Sequence, residues 1–283
     1  MTTETITAAA AGTWQLGENT VNRMGFGAMR LPTADRDTAV TVLRRAVELG
    51  VNHIDTAAFY FQDLLSSNEL INTALRPYPA DLVITTKVGP GRDTSGEFYF
   101  ARPDQLRGQV EENLRQLGRE HLDVVNLRIG QTLDRGTGSL AEHFGALAEL
   151  REAGLIRHLG ISNVNAGHLA EAQQIAPVVC VQNQYGLGVR REDDGLLRLC
   201  GEQGIAFVPF FAVAHAHEDD AVAAVAEAHG VTAAQLRLVW TLHQGAHVLA
   251  IPGTGNPAHL AENVAVGGLR LSEEELARLD PIR

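Results

Sequence analysis

Short apolar runs rich in β-branched residues alternate with amphipathic stretches from about residue 24 to the end of the chain. The runs at 24–27, 51–56 (VNHIDT), 81–87 (DLVITTK) and 122–127 (LDVVNL) read as strands. So do 156–162 (IRHLGIS), 178–183 (VVCVQN), 204–210 (GIAFVPF) and 247–254 (HVLAIPGT). Between them lie helical patterns: 37–49, stopped by Gly50; 68–76, capped by Ser67 and ended by Pro77; and 103–117, opening on Pro103. Further helices fall at 139–154, 166–176, 194–203, 219–229 and 232–243. Asn256-Pro257 opens another as N-cap and first helical residue, and Ser272-x-x-Glu275 is a capping box for the last.

Eight strands, each followed by a helix, predict an α/β protein, an eight-stranded parallel (β/α)8 TIM barrel. A hairpin around Gly17-Glu18 precedes the first strand. A doubly wound open sheet is the rival, but GFGAMR has two glycines of a G-x-G-x-x-G turn and then departs from it. Residues 1–12 are expected to be a flexible N-terminus and 13–283 a single domain. No linker, low-complexity tract or sequence repeat interrupts the body.

Composition narrows the function. The net charge of −11 and the lack of a Lys/Arg cluster argue against nucleic acid as a partner. No apolar run approaches the ~20 residues of a membrane span. The first residues lack the basic region of a secretory signal, so a cytoplasmic location is expected. Cys180 and Cys200 are not spaced as a redox or metal pair and read as small core residues. His215 and His217 stand at i, i+2 in a loop without a third ligand motif, so no metal is expected. His243 and His247 flank a helix end and read as structural.

The polar residues that close the strands carry the chemistry. In such barrels the site lies at the carboxyl ends of the strands. Asp55 ends the second, Lys87 the third, Arg128 the fourth, Ser162 and Asn163 the fifth, Gln182 the sixth and Phe210 the seventh. Pro252, Gly253 and Thr254 end the eighth. An Asp and a Lys at neighbouring strand ends can pair, with the ammonium held near the hydroxyl of Tyr60 in the loop above. A phenol with a pKa near ~10 is a sluggish donor. A cation within about 4–6 Å lowers such a pKa by roughly 1–3 units. That makes a usable general acid for a carbonyl oxygen receiving a hydride. Gly253 to Gly255 precede a helix N-terminus, which makes an anion site. His259, Glu262 and Asn263 follow on its first turns, within reach of a ribose and an adenine.

The chain resembles the aldo-keto reductase family from about residue 23 to residue 280. HIDTAAFY looks like its Asp/Tyr motif and Lys87 in ITTKVG like its lysine. The resemblance implies that Ser162 and Asn163 in GISNVN, with Gln182, hold a nicotinamide carboxamide. It implies that Phe210 lies under the nicotinamide ring, and that IPGTGNPAHLAEN binds the adenosine end. The implied activity is NADPH-dependent reduction of a small-molecule aldehyde or ketone. Members with a similar LDVVNLR run look like pyridoxal reductases, which makes pyridoxal-like aldehydes an expected class. Reduction of a C=C or imine bond, or a redox-neutral elimination or cyclisation, is the alternative on the same scaffold.

Departures from the family pattern bear on the substrate and cofactor, and one is Phe61, which follows Tyr60 where the family commonly has glycine. Arg128 stands where the family has a histidine. It cannot exchange a proton near neutrality, yet it can polarise a carbonyl oxygen or dock an anion. Ala212, Val213, Ala214 and His215 replace a Pro-Leu-Gly-Gly-like turn. Gly253 and His259 stand where Lys and Arg are frequent, so NADH remains an alternative cofactor.

Overall fold

A computed structural model describes residues 6–63, 65–93, 96–130, 133, 135–189, 191–212 and 219–282. Among them, seven parallel strands form one curled sheet in chain order. They are β1 (Phe26–Gly27), β2 (His53–Asp55), β3 (Val83–Val88), β4 (Leu122–Arg128), β5 (Ile156–Ser162), β6 (Val178–Gln182) and β7 (Ala206–Phe207). Helices α1 (Arg36–Glu48), α2 (Ser67–Leu75), α3 (Leu106–Leu117), α4 (Ala141–Glu152), α5 (Ala166–Gln173) and α6 (Asp194–Glu202) follow successive strands. Four more complete the shell: α7 (Asp220–His229), α8 (Ala233–His243), α9 (Pro257–Ala265) and α10 (Glu273–Leu279). The result is a TIM-barrel-like α/β fold.

The expected eighth strand forms bridges rather than a ladder. Phe207 pairs with Val248, and Met24 with Ala250, so 247–252 hydrogen-bonds to both edges of the sheet. Pro209 and Pro252 lack the N–H that would extend either run. Gly27 and Gly253 allow this close approach. A Cβ on Gly27 would sit 2.6 Å from the carbonyl oxygen of Ile251, and one on Gly253 would meet the carbonyl oxygen of Gly27. Thr13–Leu16 and Asn19–Asn22 pair antiparallel before the first strand. Ala8–Ala11 forms a 3₁₀ turn with Ala8 and Ala11 buried, so the segment expected to be flexible is packed from Ala8 onward.

Two apolar layers hold the fold. The larger lies between sheet and helices. The smaller fills the barrel, where Val83, Val124, Cys180, Ala206, Val208 and Leu249 pack with Leu16 and Val21 of the N-terminal pair. Strand side chains alternate faces, so the inward row climbs from these residues to polar ones. His53, Thr85 and Asn126 are buried above, then Asp55, Lys87, Ser162 and Gln182 at the strand ends. Both cysteines are buried and free, with thiols pushed up to about 12 by burial.

Local corrections follow from tertiary contacts. Ser66, not Ser67, precedes α2; Ser67 is its first residue and donates its hydroxyl to the carbonyl oxygen of Ala28 (2.8 Å). Two short antiparallel pairs arise where loops were expected, Phe61–Gln62 with Leu65–Ser66 and Pro90–Arg92 with Phe98–Phe100. The caps read from sequence at Asn256 and Ser272 are present. His243 and His247 bond the carbonyl oxygens of Val239 and Leu197, as structural histidines would.

His53 ties the fold to pH. Burial pushes its imidazole down to about 4 from 6.5. Between those values the unfolded chain binds a proton that the folded chain does not. Stability from this group is therefore complete above pH 6.5 and is lost as pH falls towards 4. At pH 5 the loss is about 2 kcal/mol. Denaturant titrations at pH 7 and pH 5 should show a fall larger in the wild type than in His53→Gln by about that amount. His158 and His247, shifted the same way by burial, remain in both proteins and cancel. Equal falls would remove His53 from the account.

Candidate active site

The strand ends converge on a buried polar cluster. Lys87 Nζ donates to Asp55 Oδ1 (2.6 Å) and to the carbonyl oxygen of Thr56 (3.0 Å). Lys87 is only 3% exposed. Burial by itself would lower its pKa, but Asp55 and Tyr60 together outweigh this and raise it, so the ammonium is held charged. Its Nζ lies 4.9 Å from the centroid of the Tyr60 ring. The predicted grouping of Asp55, Tyr60 and Lys87 is therefore present.

The loop bearing Tyr60 is held by amides that the sequence reading did not single out. Thr56 donates to Asn68 Oδ1 (2.8 Å), and Asn68 Nδ2 donates to Asn113 Oδ1 and Gln116 Oε1 (2.9 Å each) on α3. Thr86 of β3 also bonds Asn113 Oδ1 (2.6 Å). These groups are buried. Nothing in the local sequence distinguished them from surface amides.

Arg128 ends β4 beside Ser162 of β5. Its guanidinium carbon lies 5.1 Å from the centroid of Phe210. Burial lowers its pKa, opposed by Tyr60 and Asp55. An arginine tolerates that and stays charged. It faces the same cavity as Tyr60 and Lys87.

Gln182 departs from its expected role in one respect. Its Nε2 donates to Asp55 Oδ2 (2.8 Å), so it also braces the Asp55–Lys87 pair. Its Oε1 is buried without a partner, as is Ser162 Oγ, among the described residues. The two residues are register neighbours. One free acceptor beside one free hydroxyl suits a primary amide, which offers an N–H donor and a carbonyl acceptor. Asn163, at φ 64°, turns the chain here and donates Nδ2 to the carbonyl oxygen of Ile129 (2.9 Å).

Segment 252–263 is ordered as the sequence suggested. Thr254 Oγ1 accepts from the Asn256 amide (3.0 Å), and Asn256 Oδ1 accepts from the Ala258 amide (2.8 Å). Among the described residues, no acceptor takes the amides of Gly253, Thr254 or Gly255. They are free to cradle an anion. His259 and Glu262 are exposed and Asn263 is half-buried on α9.

The cavity above the cluster has a volume of about 800 Å³, within the range of small-molecule sites. Tyr60, Lys87, Arg128 and Phe210 line it. So do Phe59 in the turn before Phe61, and Arg92, Phe98 and Phe100 of the second short hairpin, which the sequence patterns do not single out. The tripeptide FYF recurs at 59–61 and 98–100, a signal that pointed to this mouth. Val213 to His215, and His217, lie outside the described residues. Among the described residues, no group of three His, Cys, Asp or Glu side chains is placed to hold a metal, and no helix is long and apolar enough to cross a membrane.

The sequence profile described as the Aldo/keto reductase family matches residues 23–283. Pyridoxine 4-dehydrogenase of Escherichia coli (strain K12) is 42% identical, over 96% of this chain and 99% of its own. Among solved structures, the thermostable aldo-keto reductase Tm1743 with the inhibitor epalrestat is 29% identical. Its TM-score is 0.82, over 96% of this chain and 99% of that one. An aldo/keto reductase from Klebsiella pneumoniae, in complex with NADP and acetate, is 28% identical with a TM-score of 0.78. That match covers 95% and 94% of the two chains.

Proposed function

This chain belongs to the aldo/keto reductase family, and from that premise we propose that it reduces a pyridoxal-like aldehyde to its alcohol with NADPH, Tyr60 giving the proton. The observation that carries the reading is the Lys87–Asp55 pair, buried at 2.6 Å with its ammonium facing the ring of Tyr60. The barrel is taken as closed by 247–252 in the place of an eighth strand, with the Thr13–Leu16 pair plugging its base.

The fit to a nicotinamide rests on the two orphaned atoms: Ser162 Oγ to donate to the carboxamide oxygen, Gln182 Oε1 to accept from its NH₂. Asn163 stands beside them and Phe210 offers a ring face. Pro252, Gly253 and Thr254 would hold the phosphates, with His259, Glu262 and Asn263 at the adenosine end. The bound cofactor supplies a hydride. NADP in the Klebsiella pneumoniae relative supports NADPH over NADH.

The residues of this chain do the rest. Arg128 draws electron density onto the carbonyl oxygen and stabilises the oxyanion as charge develops. Tyr60 donates its phenolic proton to that oxygen, and Lys87 stabilises the phenolate left behind. Asp55, itself braced by Gln182, keeps Lys87 in place. The relative that acts as a pyridoxine 4-dehydrogenase supports a pyridoxal-like aldehyde as substrate.

Cofactor oxidation at 340 nm, with NADPH or NADH and a panel of aldehydes, ketones and enones including pyridoxal, tests this. One NADPH should be consumed per alcohol formed, with pyridoxal among the better substrates. Product without NADPH consumption would replace the reading by a redox-neutral reaction.

A further inference from the structure

The cavity contains a cation that the reduction does not use. Arg92 ends the first strand of the Pro90–Arg92/Phe98–Phe100 hairpin. Its guanidinium carbon lies 4.4 Å from the centroid of Phe98 and 5.3 Å from that of Phe61. The two aromatic contacts hold the group in place. They leave its N–H edge as the means of further bonding, since all five N–H donors lie in the guanidinium plane.

Among the described residues, no acceptor takes those donors. Arg92 Nε is buried and has no hydrogen-bond partner, and no carboxylate pairs with Arg92 among the described residues. Lys87, by contrast, has Asp55. No Asp or Glu lines the 800 Å³ cavity among the described residues, although the chain as a whole carries −11. A second chamber of about 270 Å³ shares Phe59, Phe61, Lys87, Pro90 and Arg92 with the first, so Arg92 stands on the wall between them. Among the described residues its one acidic liner, Glu112, is bonded by Arg115 and Gln116.

The hairpin is fixed at its root. Gln109 Oε1 accepts from the Gly89 amide (2.8 Å), its Nε2 donates to the carbonyl oxygens of Gly89 and Pro90 (3.3 Å each), and the Ala101 amide closes onto Gly89 (2.7 Å). Arg92 is thus presented from a braced turn.

We propose that Arg92 is a substrate-selecting residue, and that the cavity takes planar aromatic aldehydes carrying a carboxylate or phosphate remote from the reacting carbonyl. The rings of Phe59, Phe61 and Phe98 pack the flat body, and the in-plane N–H donors of Arg92 form charge-assisted bonds with the anion. Arg128 and Tyr60 are left to the carbonyl. This rests on the aldehyde-reductase reading for its substrate but not for its anion site.

The test has two arms. In the first, kcat/KM with NADPH is measured for 4-carboxybenzaldehyde and for methyl 4-formylbenzoate, in wild type, Arg92→Gln and Arg92→Lys. The wild type should prefer the carboxylate, and Arg92→Gln should cut the ratio of the two kcat/KM values about tenfold or more, mainly through KM. Arg92→Lys, which keeps charge without the planar fork, should fall between. A ratio unchanged in Arg92→Gln overturns the proposal.

In the second arm, calorimetric titration with terephthalate and with terephthalamide needs no turnover. Terephthalate affinity should drop about tenfold in Arg92→Gln while terephthalamide affinity changes little. If no aldehyde is reduced but terephthalate binding still depends on Arg92, the reductase reading fails and the anion site stands. If aldehydes are reduced and terephthalate ignores Arg92, the reverse holds. Thermal melts of each variant establish that it is folded, and Arg92→Lys carries the test should Arg92→Gln not fold.

Discussion

Tyr60→Phe is expected to lower kcat by about 10²–10⁴-fold while the dissociation constant for NADPH stays within about threefold of wild type. The change removes one oxygen at the cavity floor and leaves the ring that packs edge-on against Phe59. Lys87 and Asp55 keep their direct 2.6 Å bond, which does not pass through the phenol oxygen. The groups assigned to the cofactor, from Ser162 to Asn263, lie on other strand ends and on α9. Loss should therefore appear in kcat rather than in cofactor binding, which protein fluorescence quenching by NADPH would separate. An equal loss of both would move Tyr60 from proton donor to cofactor support. Turnover within tenfold of wild type would leave the proton to come from elsewhere.

Lys87→Met is expected to destabilise the protein by about 3–5 kcal/mol and to abolish turnover. The Lys87 and Asp55 side chains are 2% and 4% exposed. Removing the ammonium strands a carboxylate in the barrel with the amide of Gln182 as its remaining side-chain donor among the described residues. Against a usual total of about 5–15 kcal/mol, that is a large fraction, and a melting temperature lower by about 10 °C is expected. The double variant Lys87→Met with Asp55→Asn should lose less than the single one, because both charges leave together. It should remain inactive, since Tyr60 has lost its cation. If Lys87→Met melted within about 2 °C of wild type, the pair would not be the buried anchor that the geometry implies.

Much of the barrel and of its site was legible in the chain. Strand–helix alternation gave the order of elements, because each element must bury one face and its period records which. The strand-end positions of Asp55, Lys87, Arg128, Ser162 and Gln182 followed from that register. The caps at Asn256 and Ser272 were readable for a local reason, since each side chain bonds an amide two or three residues on. HVLAIPGT has the composition of a strand, but what it can pair with depends on where Pro209 and Pro252 fall relative to the neighbouring edges.

The rest lay in contacts between distant parts of the chain. Gln182 meets Asp55 across 127 positions in sequence, and no local pattern encodes that bond. The turn and hairpin that bring Phe59, Arg92 and Phe98 to one mouth come from loops without periodicity, so composition alone described them. The replacement of a histidine by Arg128 was visible in the letters, but its seat over Phe210 was not. By itself, then, the sequence determined the staves of the barrel, the face each buries and the residues at their ends, because those are set by propensity and period over a few residues. Only the tertiary structure decided which of those ends touch, which polar atoms stay unpartnered, and where Arg92 stands, because curling the sheet is what brings them within bonding distance.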